Sequence, residues 1–242
     1  MPNRINLAMW SGPRNLSTAL MRSFANRKDV IYVMDEPFYA SYLKETNKKH
    51  PLFKEIIQNH ESNWKKVINQ CLNQKGEGIC FQKHMVHHIL PTFKKNWMLK
   101  CVNFFLIREP KEVISSFLEK WPNANFEDFG FADQLNLFNY IYKRTAIAPI
   151  VIDASELQEN PELCLKALCS SLNITWDSRM LEWEAGLKPY DGIWASHWYP
   201  SVKQSTRFHK KKLRKDFSNS VLNFSNQAEE IYAELLSYKI KL

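Results

Sequence analysis

Residues 10–18 read WSGPRNLST and lie between the apolar run INLAMW (residues 5–10) and the helix-like ALMRSFANR (residues 19–27). A hydrophobic strand that leaves through Gly12, Pro13 and Arg14 and enters a helix on Ser17 and Thr18 has the layout of an anion site. The first N–H groups of a helix lack intrahelical partners and, together with the helix dipole, attract negative charge. The stretch departs from the nucleotide-binding pattern GxxxxGKS/T, because Leu16 stands at its second glycine and Ser17 at its lysine. A positive charge remains as Arg14, inside the loop. An ordinary helix cap by Ser17 or Thr18, worth ~1 kcal/mol, accounts for the hydroxyls equally well. Support for an anion has to come from elsewhere in the chain.

Outward from this loop, apolar runs bounded by turn residues recur at 5–10, 30–34, 78–82, 102–107 and 150–152, each reading as a short strand buried on both faces. Helical patterns separate them at 17–27, 51–74, 110–120 and 126–146, with Pro51 and Pro110 in first-turn positions. The alternation predicts an α/β fold: a P-loop-type parallel sheet of about five strands covered by helices on both faces. After Asp153 no further strand is evident, and helices at 161–172 and 219–236 predict a helical and irregular C-terminal portion. The whole chain, 1–242, reads as one domain, with 187–242 packing on the sheet. Residues 187–216, with four aromatics ahead of a Lys/Arg run, form the kind of irregular segment that often serves ligands.

The composition is 45% hydrophobic, enough for a sizeable core, yet no apolar run approaches the ~20 residues of a membrane span. The amino terminus lacks the charged-then-apolar pattern of a leader, so a cytoplasmic protein is expected. Cys71, Cys80, Cys101, Cys164 and Cys169 form no CxxC pair and match no zinc spacing, which predicts reduced, packed thiols and no metal. A formal net charge of +8 attracts polyanions, whether nucleic acid, membrane surface or a phosphate-rich small ligand.

A second motif narrows that choice. NFFLIREPKEVISSFLEK (residues 103–120) sets Arg108 at the end of the most apolar strand and Ser116 about two turns into the helix opened by Pro110. The two flank one anion if the arginine folds back along the helix. PRNLST after the first strand, paired with RxPxxxxxSF after a later one, resembles the two cofactor signatures of sulfotransferases that use 3′-phosphoadenosine 5′-phosphosulfate (PAPS). The resemblance implies that Arg14, Asn15, Leu16, Ser17 and Thr18 grip the 5′-phosphosulfate, with Arg14 offsetting charge on the leaving phosphate, and that Arg108 and Ser116 hold the 3′-phosphate. DASEL (153–157) and NPELCLKALCSSLNI (160–174) resemble the strand and helix that follow the second signature, so the likeness runs over roughly residues 5–177. Arg14 replaces the lysine of the commonest loop, as in bacterial relatives, and Leu16 replaces a glycine.

Elementary chemistry points the same way. Nucleotide triphosphate chemistry needs Mg²⁺ held by a hydroxyl and an acidic strand end, whereas the strand end at Arg108 is basic. A sulfuryl group carries less charge, so arginines and backbone donors suffice to stabilise its transfer. The expected reaction is direct in-line transfer from PAPS, as co-substrate and without a metal, to a hydroxyl or amine of a small-molecule acceptor, with no obligate nucleic acid. The alternatives are a small-molecule kinase with an atypical loop and a non-catalytic binder of phosphonucleotide or nucleic acid.

Such a transfer needs a base for the acceptor's proton. Glu36 in MDEPFYA (residues 34–40) ends the second strand and resembles the acidic segment of bacterial and Golgi-type sulfotransferases with a glutamate base; Asp35 is its rival. FQKHMVHHILP (residues 81–91) resembles the Lys-x-His of cytosolic sulfotransferases, with Met85 where their histidine stands. Lys83 is therefore expected to touch the sulfate, and His84, His87 and His88 are further candidates for the base. Trp194, Trp198, Tyr199 and Phe208 lie near seven basic side chains between Lys203 and Lys215. In the family a C-terminal loop supplies an aromatic to adenine and a basic pair to the 3′-phosphate, which nominates Arg207 and Phe208 of STRF with Lys210 to Lys212. A plain solvated lysine run is the competing reading. The acceptor pocket is expected from residues 37–52, 84–97 and the late aromatic segment.

Overall fold

A computed structural model describes residues 4–210 and 216–242. The chain begins with β1 (Arg4–Ser11), α1 (Ser17–Ala25), β2 (Val30–Asp35), α2 (Tyr39–Thr46), α3 (Phe53–Asn59), α4 (Trp64–Leu72) and β3 (Gly78–Met85). It continues through β4 (Val102–Ile107), α5 (Pro110–Leu118), α6 (Phe131–Thr145), β5 (Ile150–Asp153), α7 (Ala154–Glu159) and α8 (Pro161–Ser171). Two short helices, α9 (Ala195–Trp198) and α10 (Pro200–Gln204), precede the long α11 (Asn219–Leu236). The strands form one sheet in the order β2-β3-β1-β4-β5, every neighbouring pair parallel. The expected α/β architecture is thus the observed one.

Period-two alternation divides the core between the two faces of this sheet. Leu7 and Met9 of β1 point with Phe81, Phe104 and Leu106 to one face, where Leu20, Met21 and Phe24 of α1 and Leu165 and Leu168 of α8 cover them. Ala8 and Trp10 point with Phe105 and Ile107 to the other face, against Val67 of α4, Phe138 and Ile141 of α6, and Leu235 of α11. Continuous apolar runs are the expected signature of strands covered on both sides.

Several elements differ from the sequence reading. The helical pattern at 51–74 is two helices, because Asn63 takes the N-cap of α4 by accepting the Lys65 amide and so starts a new helix. Helix α2 had no sequence forecast. Most consequentially, β3 continues past Gln82 to Met85, pairing with β1 as far as Ser11, so Lys83 and His84 are strand neighbours and project to opposite faces. All five cysteines are free thiols, as expected. Among the described residues, no helix is long and apolar enough to cross a membrane.

The segment ahead of α9 is held to the sheet by charge. Arg22 of α1, 1% exposed, donates from Nη1 and Nη2 to the two carboxylate oxygens of Asp191, each at 2.6 Å. The next residue must be glycine, because the Trp194 ring folds back to within 2.1 Å of where a Cβ on Gly192 would stand. Breaking a buried ion pair from one side leaves an uncompensated charge and costs about 3–5 kcal/mol, whereas replacing both members by apolar residues costs far less. Urea unfolding should therefore show Arg22→Met and Asp191→Leu each losing about 3 kcal/mol or more, with the double variant recovering much of the loss. Additive losses would show that the pair does not act as a unit.

Candidate active site

The turn from β1 to α1 is built by close approach and left-handed backbone. A Cβ on Gly12 would lie 2.8 Å from the Phe129 carbonyl oxygen, so only glycine lets the loop pass. Arg14 and Leu16 both have φ of 63°, a conformation that non-glycine residues hold only when their surroundings impose it. Between them the buried Asn15 donates its amide to the Leu106 carbonyl at 3.1 Å and ties the loop to the end of β4. Leu16 occupies the N-cap of α1, and no side chain caps the helix there. Ser17 and Thr18 lie inside the first turn, so simple capping does not explain the hydroxyls.

The two signatures meet. Arg108 Nη1 donates to the Arg14 carbonyl at 2.8 Å and Nη2 to Glu112 Oε2 at 3.3 Å, while Arg14 Nε donates to Ser116 Oγ at 2.9 Å. Arg14, Asn15, Leu16, Ser17, Thr18, Arg108 and Ser116 all line one cavity of about 480 Å³ at the carboxyl edge of the sheet, where open α/β folds bind ligands.

Glu36 opens onto the same cavity from the end of β2. Its φ of 46° is again left-handed, and its amide donates to the Lys83 carbonyl at 2.9 Å. Beneath it Lys83, wholly buried, donates to Asp35 Oδ1 at 2.8 Å, to Tyr199 Oη at 2.8 Å and to Glu36 Oε1. The Tyr199 hydroxyl also lies 2.8 Å from both Asp35 oxygens and accepts from Trp194 Nε1 at 3.2 Å. Burial pulls the Lys83 pKa down, but Asp35 and Glu36 outweigh it and the net shift is upward. Burial, reinforced by Asp35 and opposed by Lys83, raises Glu36. The geometry presents a carboxylate of raised proton affinity in the same cavity as Arg14 and Arg108.

Residues 5–226 match the family described as Sulfotransferase domain. The chain belongs to the sulfotransferase domain family. This sulfotransferase domain is 37% identical over 231 residues, 95% of the chain, to branched-chain-amino-acid aminotransferase-like protein 1 of Arabidopsis thaliana. It is 38% identical over 200 residues, 82% of the chain, to the like-named protein 2 of that plant. The chain spans 41% and 35% of those relatives' lengths. Among solved structures it resembles the sulfotransferase domain from the curacin biosynthetic pathway, with TM-score 0.51, 14% identity and coverage of 97% of this chain and 98% of that one. It also resembles mouse sulfotransferase SULT7A1 complexed with PAP, with TM-score 0.50, 16% identity and coverage of 96% and 84%. At such identities the likeness is one of fold.

Within this sulfotransferase domain, several forecast residues stand elsewhere than the motifs suggested. An ammonium has three N–H donors, and Lys83 directs all three to Asp35, Glu36 and Tyr199. It is not a wall of the cavity, so the expected sulfate contact by Lys83 is replaced by a role beneath Glu36. His84 is corrected too. It faces away from Lys83, stacks on its register partner Trp10 at 4.4 Å and 17°, and bonds Gln82 Oε1 at 3.0 Å. Arg207 pairs with Glu182 at 2.9 Å, and Phe208 packs edge-on to Trp183 in the core. Neither Arg207 nor Phe208 reaches the cavity. Lys211 and Lys212 lie outside the described residues.

His87 and His88 do line the cavity of the sulfotransferase domain, with His50, Tyr39 and Tyr42. The motifs missed the segment after Phe117, which adds Trp121 and Asp128 to the wall, and they did not foresee the bond from Tyr199 to Asp35 across 164 positions. Burial lowers His84 and His87 to about 3 and His50 to about 4, and drives His88 well below the ordinary imidazole value. These rings are neutral at pH 7. In the unfolded chain they protonate near pH 6.5, so the unfolded state binds more protons between pH 6.5 and about 3–4. The stabilisation is complete above pH 6.5 and declines below it, each ring contributing up to about 1.4 kcal/mol per pH unit. His60, also lowered by burial, acts in the same sense, and Glu36 and Asp133, both raised by burial, in the opposite one. Denaturation free energies at pH 7.5 and pH 5 should accordingly fall by several kcal/mol on acidification; equal values would show that the rings titrate as in water.

Proposed function

We propose that this domain transfers a sulfuryl group from PAPS to a small-molecule acceptor, with Glu36 as the base. The observation that carries the reading is the joining of the two signature segments through Arg108, Arg14 and Ser116 in one cavity that also contains Glu36. The residues present fit a doubly anionic nucleotide. An uncapped helix start, two guanidinium groups and a hydroxyl are all anion partners. In this reading Arg14 and the first-turn amides of α1 hold the 5′ end, and Arg108 with Ser116 the 3′-phosphate. PAPS, when bound, supplies the activated sulfuryl group.

The remaining chemistry belongs to the chain. Arg14, fixed by Ser116, is aimed before reaction, so no reorganisation is needed as charge grows on a leaving phosphate. Glu36 takes the acceptor's proton at Oε2, the oxygen not bonded to Lys83. Lys83 orients that carboxylate and opposes the rise in its proton affinity that burial causes. Asp35 keeps Lys83 compensated once Glu36 becomes neutral.

Thermal unfolding tests the donor. Adenosine 3′,5′-bisphosphate (PAP) at ~100 times its dissociation constant should add ~2.7 kcal/mol of stability that ATP does not reproduce and that Arg108→Ala abolishes. Stabilisation by ATP with Mg-dependent turnover would favour the kinase alternative. Kinetics tests the roles. Glu36→Gln should lower the transfer rate by ~10²–10⁴ with PAP affinity within about twofold. Arg14→Ala should lower the rate more than it weakens PAP binding, and an unchanged rate would reject Arg14 as a transition-state group.

A further inference from the structure

The feature that the proposed chemistry leaves unused is His88. It is 2% exposed, lines the cavity, and its Nδ1 has no hydrogen-bond partner among the described residues. That nitrogen lies 4.0 Å from Glu36 Oε2. The plane of the ring is held by stacking on Tyr39 at 4.5 Å and 9° and on Tyr42 at 4.8 Å and 30°. Burial keeps it neutral, so one nitrogen carries a hydrogen and the other a lone pair. A lone pair on Nδ1 would face the carboxylate and be repelled, which favours the tautomer with hydrogen on Nδ1.

From this pair we infer that the acceptor is a hydroxyl compound and not an amine, its oxygen seated between His88 Nδ1–H and Glu36 Oε2. The inference rests on the reading of Glu36 as base. An oxygen about 2.8 Å from each atom closes a triangle with an apex near 90°, which a hydroxyl can span by donating to the carboxylate and accepting from the imidazole. One lone pair accepts the Nδ1–H and the second remains to attack sulfur. As the O–H bond breaks, its proton passes to Glu36 Oε2. The oxygen's electrons form the new O–S bond, and the S–O bond to the 5′-phosphate breaks with its electron pair leaving on the phosphate oxygen.

A neutral amine has one lone pair, so accepting from His88 would remove its nucleophile. A protonated amine has none. It would also meet a wall on which Arg14, Lys48, Lys49, Arg108 and Lys120 outnumber the carboxylates Glu36 and Asp128. The rings of Tyr39, Tyr42, Trp121 and Trp198 on the same wall make aromatic probes suitable. His88 is thus an acceptor-binding residue that selects oxygen over nitrogen.

The test uses the whole chain, PAPS, and two matched probe pairs, phenol with aniline and benzyl alcohol with benzylamine. The alcohols should be sulfated roughly 100-fold faster than the amines in kcat/KM. His88→Phe should lower alcohol transfer at least tenfold and narrow that ratio, while calorimetry shows PAP affinity unchanged. His88→Asn, which returns an N–H donor, should restore most of the activity. Nitrogen NMR of the PAP complex with labelled histidine should report hydrogen on Nδ1 of His88 without any acceptor present. Amines sulfated as fast as alcohols, neither alcohol sulfated by a chain that binds PAP, an unaffected His88→Phe, or hydrogen on Nε2 would each overturn the assignment. Failure of the wild-type chain to bind PAP would instead overturn the donor reading on which it rests.

Discussion

A lysine ammonium with no access to solvent is tolerable only if every proton on it meets an acceptor and its charge is compensated. Lys83 satisfies both conditions through Asp35, Glu36 and Tyr199, and much of the site follows from that requirement. Asp35 and Glu36 must stand together at the carboxyl end of β2, which places one carboxylate beneath the cavity and the other on its wall. Tyr199 must be brought in from the far end of the chain. The Arg22–Asp191 pair and the Gly192 amide on Asp35 Oδ2, at 3.3 Å, hold the intervening segment where this can happen. The left-handed backbone at Glu36 is local strain that the surrounding bonds pin in place.

The second organising element is the contact between signatures. Arg108 and Arg14 carry like charges, and they coexist because each is held by neutral or acidic oxygen: the Arg14 carbonyl and Glu112 for one, Ser116 for the other. The neutral histidines and tyrosines add uncharged rings to the cavity beside Lys48, Lys49 and Asp128. Glu36 lines the same cavity as Arg14, and His88 Nδ1 lies 4.0 Å from its Oε2.

Some forecasts failed for a definable reason. Lys83 as a sulfate contact and His84 as a candidate base cannot both hold, because consecutive residues of a strand face opposite sides of the sheet; the conflict appears once β3 runs to Met85 and not only to Gln82. The acidic end of β2 was legible as a candidate base in Glu36 or Asp35, but not the division of labour in which Asp35 pairs with the buried Lys83 and Glu36 opens onto the cavity. Arg207 and Phe208 matched a loop by composition alone, and composition cannot distinguish a ligand aromatic from a core aromatic such as Phe208 against Trp183.

By itself the sequence determined the parallel α/β sheet and the two motif segments, the loop after β1 and the Arg108–Ser116 stretch, because these depend on local periodicity, turn chemistry and fixed spacing; that the two segments bond directly to each other came from the tertiary structure. Only the tertiary structure decided what Lys83 is for, which histidine faces Glu36, that Tyr199 bonds to Asp35, and that the segment after Phe117 belongs to the site. Those outcomes depend on which side chains meet across the sheet edge when water is removed. Hydrogen-bond completion around a buried charge is a property of the assembled surroundings, and no window along the chain contains it.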